Sequence, residues 1–280
     1  MEWQAVALVL FAALLHATWN AFVKASGDRL VTLGLVNAGR FAVCVVAVFF
    51  LPVPHADSWP FLALSAALHV GYYLFLIKAY GSGDLSHVYP LARGVSPLLI
   101  AGGALLFAGE RLGAGALFGV VLVSLGLASL TFVTHGDRHR NRRAVYYALA
   151  TAVFIAAYTV TDGMGVRRAG TVVAYVAWLT VLDGFPVLCL AAVRRRSQFL
   201  VRAREMFWRA TGGGLLQLLA YGLVIWAMSF SPMAGVSALR ETSVIFAALI
   251  GAYLLKEPLG AKRIGAAVLV AMGIVVMKLF

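Results

Sequence analysis

Charge is scarce in this chain. Only 12% of its 280 residues are charged, against 62% apolar. A water-soluble domain carries about 25% charged residues, so water cannot be what solvates most of this surface. Acidic residues are the scarcest, 11 against 23 Lys and Arg, which leaves a net charge of +12. That balance would suggest nucleic acid in a soluble protein. Here the basic residues lie mainly between apolar stretches, where they orient a membrane protein and meet anionic lipid. Lipid is therefore the expected partner, and nucleic acid is not. The two cysteines, Cys44 and Cys189, both fall inside apolar stretches and are expected as free buried thiols. Enzyme signatures are missing as well. No Gly-Lys-Ser/Thr follows a glycine-rich stretch, and there is no HExxH, CxxC or nucleophile elbow. The six histidines lack metal-ligand spacing within any one span. No enzymatic activity, metal or bound cofactor is expected.

Long apolar runs are what the chain does have. A bilayer core takes about 20 apolar residues as helix, because lipid offers no partner to an unpaired backbone group. Runs of that kind fall near 3–23, 31–51, 59–80, 86–108, 112–134, 144–164, 171–193, 210–230, 233–255 and 260–280. The expected fold is all-α, a polytopic membrane protein of ten transmembrane helices with no soluble domain. The first run resembles a signal peptide in length, but Glu2 stands where a basic region would be, so it is read as a retained helix. Separators such as Gly81-Ser82-Gly83-Asp84 and Pro52-Val53-Pro54 carry loop chemistry.

The two halves repeat. At an offset of 147 residues Arg93 meets Arg240, Ser96 meets Ser243 and Glu110 meets Glu257. Leu112-Gly113 meets Leu259-Gly260, and Gly126 meets Gly273. The expected organisation is a first repeat over 1–135, a basic linker at 136–143 and a second repeat over 144–280. Five helices per repeat is an odd number, so the halves enter the membrane from opposite sides. Such inverted repeats mark alternating-access carriers. Most Lys and Arg lie in loops after odd-numbered spans, a bias that places both termini outside.

Intramembrane polar residues then nominate a substrate site. Arg93 and Arg240 each lie about 10 Å below opposite surfaces, near the midplane. Two guanidinium forks converging on one cavity suit an anionic group. The plain alternative is a pair of structural arginines. Glu241 can bind a substrate ammonium, carry a proton or neutralise Arg93. His16, Asn20 and Lys24 share one face of the first span, and Lys24 can instead snorkel to the interface. His69, Tyr73 and Tyr80 share a face of the third span beside Tyr72. Tyr89, Tyr158, Gln217 and Tyr221 complete the candidate lining. Asp162 stands close enough to a loop to be expected in water. Asp183 is deeper and can counter an arginine, and Arg40 is read as a structural ion-pair residue. Gly115, Gly119, Gly126, Gly265 and Gly273 are expected to let the fifth and tenth spans pack closely. A proton is favoured over sodium as a coupling ion; Glu241, His16 and His69 are the candidates, and any proton dependence is expected to run through Glu241.

The residues also carry a family resemblance. The five-plus-five repeat, the turn Gly109-Glu110-Arg111-Leu112 and its counterpart Lys256-Glu257-Pro258-Leu259 resemble the EamA-type ten-helix members of the drug/metabolite transporter superfamily. That resemblance covers nearly the full length. It implies a carrier for small metabolites, with a cavity lined by spans 1–4 and 6–9 and scaffold spans 5 and 10. It also implies termini inside the cell, opposite to the charge bias. The stretches His16-Ala17-Thr18-Trp19-Asn20, Tyr89-Pro90-Leu91-Ala92-Arg93-Gly94 and Leu239-Arg240-Glu241-Thr242-Ser243 resemble a bacterial branch associated with phosphonate utilisation. The expected function is thus an inner-membrane secondary transporter of a small anionic or zwitterionic metabolite, as monomer or homodimer. The alternative is a membrane-embedded structural or sensory subunit.

Overall fold

The computed structural model describes residues 2–24, 29–82, 85–132, 142–194, 207–254 and 260–279, without the side chains of some helix-end residues, Lys24, Tyr80 and Cys189 among them. The described residues are mostly helical, with no strand among them. In chain order they form α1 (Trp3–Lys24), α2 (Arg29–Ala47), α3 (Trp59–Ser82), α4 (Leu85–Ala108), α5 (Ala114–Ser129) and α6 (Arg142–Val166). These are followed by α7 (Val172–Arg194), α8 (Phe207–Phe230), α9 (Met233–Arg240), α10 (Ser243–Leu254) and α11 (Ala261–Leu279). Among the described residues, six stretches are long and apolar enough to cross a bilayer, Trp3–Ala21, Val88–Ala108 and Met233–Tyr253 among them. Gly34–Ala47, Ala114–Ser129 and Val172–Pro186 are shorter apolar helices.

Two spans differ from expectation. The second helix stops at Ala47, and Val48 to Phe50 form a turn before Pro52. The ninth span is two helices, broken at Glu241 and Thr242. The break falls in the polar run Arg240-Glu241-Thr242-Ser243, with the more apolar stretch on its C-terminal side and no proline or glycine to mark it.

Most helices pack against two or more others. α3 packs on α6 and α7, α4 on α5 and α6, and α1 on α8, α9 and α10. α2 lies against α7 and α8, and α5 against α11. In lipid, apolar surface alone does not drive helices together, so close backbone approach has to. Gly119 and Gly273 supply it: a Cβ on either would strike the other's carbonyl oxygen. Gly126 likewise sits against the Ala266 carbonyl. Gly265 does not fit the expectation, since a Cβ there meets nothing.

One turn ties several helix ends together. Gly109 has φ +68°, a left-handed conformation that glycine enters without steric cost. It folds the chain so that the Glu110 N–H reaches the Ala104 carbonyl at 3.0 Å, satisfying an end-of-helix acceptor. The Glu110 carboxylate then accepts from the Met233 N–H at 2.8 Å and from Arg167 Nη2 at 2.6 Å. Pro232 at the head of α9 has no capping side chain, so Glu110 caps that helix from a distance. Arg167 also donates to the carbonyls of Met228 and Ser231, each at 2.9 Å.

Candidate functional site

Arg93 sits in α4 between Pro90 and Pro97. Pro97 has no N–H for the carbonyl four residues earlier, which is that of Arg93. Ser96 Oγ donates to that carbonyl instead, at 3.1 Å. The helix runs on through Pro97, but its hydrogen-bond ladder is interrupted beside the buried charge.

Arg240 ends α9 at the second interruption. Glu241 N–H bonds to Ala238, Thr242 N–H to Leu239 and Val244 N–H to Glu241, at 3.1, 3.1 and 3.0 Å. Thr242 Oγ1 adds a bond to the Leu239 carbonyl at 2.8 Å. Three-residue spacing replaces the four-residue ladder, a tightening often found at hinges. Irregular backbone at membrane depth is tolerated where protein buries it.

This turn aims Glu241 at Arg93. Arg93 Nε donates to Glu241 Oε2 at 2.9 Å, and Nη2 lies 2.9 Å from Oε1. The second contact is close but poorly directed, so Arg93 Nη2 and Glu241 Oε1 complete no hydrogen bond with the protein. Arg240 Nη2 stands 3.8 Å from the same Oε1, and its Nε and Nη2 also lack protein acceptors. Arg93, Arg240 and Glu241 are 7%, 5% and 0% exposed. Two positive groups therefore share one negative group in a buried centre, with donors to spare. Of the roles open to Glu241, the geometry realises the neutralisation of Arg93.

Other candidates gather round this triad unevenly. His16 neighbours both arginines, and Trp19 Nε1 donates to its Nδ1 at 3.3 Å. Tyr89 lies beneath the Arg93 guanidinium, 6.0 Å from ring centre to Cζ. Tyr158 of α6 neighbours all three charged groups. Asn20 turns back onto the His16 carbonyl at 2.7 Å, within its own helix. The Lys24 side chain lies outside the described residues. Tyr73 packs against Tyr72, with ring centres 5.1 Å apart, on the side of Arg40 and Asp183. Gln217 is half-buried on α8, its Oε1 without a protein donor.

A second cluster adjoins the first. His69 stacks on Tyr158 at 4.1 Å between ring centres and meets Tyr221 edge-on at 6.1 Å. Asp162 belongs here rather than in water. It is fully buried, and its oxygens accept hydrogen bonds from Tyr175, at 3.1 Å, and from Tyr221. The expectation failed because α6 continues past Asp162 to Val166 while α7 and α8 cover its end. The Tyr158–Asp162 spacing of one helical turn was the available signal; Tyr175 offered none. Elsewhere, Arg40 and Asp183, which the sequence did not pair with each other, form a buried ion pair at 2.8 Å, with Asn37 Oδ1 accepting from Arg40 Nε at 2.9 Å. Cys44 is a free buried thiol.

Three comparisons bear on this arrangement. A family model for EamA-like transporters matches residues 142–279. A solved crystal structure aligns with a TM-score of 0.78 at 19% identity, covering 100% of this chain and 98% of the other, which speaks for the fold alone. No curated protein matches. The chain is an integral multi-pass membrane protein and belongs to the EamA-like transporter family, within the drug/metabolite transporter superfamily.

Proposed function

We propose that this transporter moves a small anionic or zwitterionic metabolite across the inner membrane by alternating access, with Arg93, Arg240 and Glu241 at its substrate site. The observation that carries this reading is the buried triad and its uncommitted polar atoms: Arg93 Nη2, Arg240 Nε and Nη2, and Glu241 Oε1. Buried polar groups are normally satisfied, so an orphaned group asks for an explanation. A carboxylate or phosphonate would accept from the free guanidinium N–H groups, and an ammonium would donate to Glu241. His16, Tyr89 and Tyr158 would line the same cavity, with His69, Tyr73, Gln217 and Tyr221 around it and Asn20 and Lys24 along α1. A phosphonate is one substrate that fits this chemistry.

The alternating-access part is supported by helix geometry. Discontinuous helices at mid-membrane are a recurrent feature of carrier substrate sites. Exchanging α1–α5 with α6–α11 also maps the main packing pairs onto one another. α3 on α6 becomes α8 on α1, α4 on α6 becomes α9 and α10 on α1, and α2 on α8 becomes α7 on α3. The pairs α5–α11 and α2–α7 exchange with themselves. This is the pattern expected of two related halves over 1–135 and 144–280.

The test is a thermal-shift screen of the purified protein against amino acids, carboxylates and aminophosphonates, followed by proteoliposome flux of any stabilising compound. Stabilisation and saturable flux are expected. A protein that moves none of them across a membrane would leave the structural or sensory subunit as the better reading.

A further inference from the structure

Asp162 holds a buried carboxylate that substrate binding does not use. Tyr221 from α8 and Tyr175 from α7 donate to its two oxygens. Among the described residues no lysine or arginine lies within ion-pair distance of it. Glu241 differs in this respect, because two arginines balance its charge. A charged group at membrane depth costs about 2.5–3.5 kcal/mol on insertion scales, and such residues mark ion or proton pathways.

The ligands of Asp162 favour a proton. A phenolic hydroxyl both donates and accepts, so it can serve a carboxylate as donor or a carboxylic acid as acceptor without moving its ring. On the α3 side, Ser65 and His69 face the carboxylate. His69 Nδ1 lies 2.9 Å from the Ser65 carbonyl, which can only accept, so Nδ1 carries a proton. The groups facing Asp162 are therefore His69 from α3, Tyr158 from α6 itself, Tyr175 from α7 and Tyr221 from α8. Beyond Tyr158 stand Arg93 of α4, Arg240 of α9 and Glu241. Tyr158 touches both worlds, stacked on His69 and placed one helical turn before Asp162.

We propose that Asp162, held by Tyr175 and Tyr221 and flanked by His69, is a proton-binding site distinct from the Arg93–Glu241–Arg240 triad and joined to it through Tyr158. Its part in coupling rests on the transporter reading, whereas the proton site itself does not. The experiment is pH-difference infrared spectroscopy of the protein in lipid vesicles, between about pH 5 and about pH 8. A titrating carboxyl band is expected in the wild type, lost in Asp162→Asn and retained in Glu241→Gln. Tyr221→Phe guards against misfolding of the first variant: it should keep the band but move it to higher frequency, because one hydrogen bond to the carboxyl is gone. A band that survives Asp162→Asn, or a wild type without one, overturns the proposal. Neither result depends on finding a transported compound.

Discussion

Arg93 and Glu241, 148 residues apart, meet through two contacts of 2.9 Å, of which only the one from Nε is a well-directed hydrogen bond. The pair is therefore held together while part of its bonding capacity stays open. On the proposed reading, a substrate would engage that capacity without first breaking the pair.

Arg240→Lys keeps the charge but loses the fork that grips two oxygens at once. Affinity for a substrate found in the thermal-shift screen should fall about tenfold, a loss of ~1.5 kcal/mol or somewhat more. Arg93→Ala combined with Arg240→Ala should abolish uptake in proteoliposomes. Normal uptake by the folded double variant would make both arginines scaffold.

Glu241→Gln leaves two buried guanidinium groups without a counter-charge. Removing one partner of a buried pair costs about 3–5 kcal/mol, and the melting temperature in detergent should drop accordingly. An unchanged melting temperature would mean that another group neutralises the arginines.

Asp183→Asn should destabilise the protein by a similar amount, because Arg40 is 4% exposed and donates to that carboxylate. Replacing both residues, Arg40→Met with Asp183→Leu, should recover most of the loss, since two matched apolar side chains need no partner. Melting curves of the two single variants and the double variant form the test. A double variant as unstable as the singles would contradict a purely structural pair.

Glu110→Ala removes the cap of α9 and should cost about 1–2 kcal/mol. Glu110→Gln keeps an oxygen for the Met233 N–H and should lose clearly less. Equal losses in chemical denaturation would show that the bond to Arg167, not the cap, is what matters.

In proteoliposomes, a proton gradient should drive accumulation of the screened substrate by the wild type. Asp162→Asn should only equilibrate it. Full accumulation by that variant would remove Asp162 from coupling.

Much of this was legible in the sequence and some was not. Ten apolar runs predict the helices, because lipid demands both length and apolarity. Arg93, Arg240 and Asp183 stand out because charge in such runs is rare. The partner of each charge was less legible, since a partner such as Glu241 or Arg40 comes from a distant helix. Asp162 was misplaced because its burial depends on how α7 and α8 fold over the end of α6, which no local pattern encodes. The break at Thr242 was not foreseen either: no proline or glycine marks it, and the polar run Arg240-Glu241-Thr242-Ser243 was read within one continuous span.

The knot at Glu110 has a kinetic meaning. Its carboxylate and the Arg167 guanidinium together hold the ends of α4, α6, α8 and α9 through four hydrogen bonds. The bonds fall into two sets, two made by Glu110 and two by Arg167 alone to the carbonyls of Met228 and Ser231. Parting α9 from its neighbours at this face means losing the Met233 bond and freeing a capped terminus in the same step. A substitution at Glu110 would therefore release α4 and α9 while Arg167 still ties the end of α6 to α8.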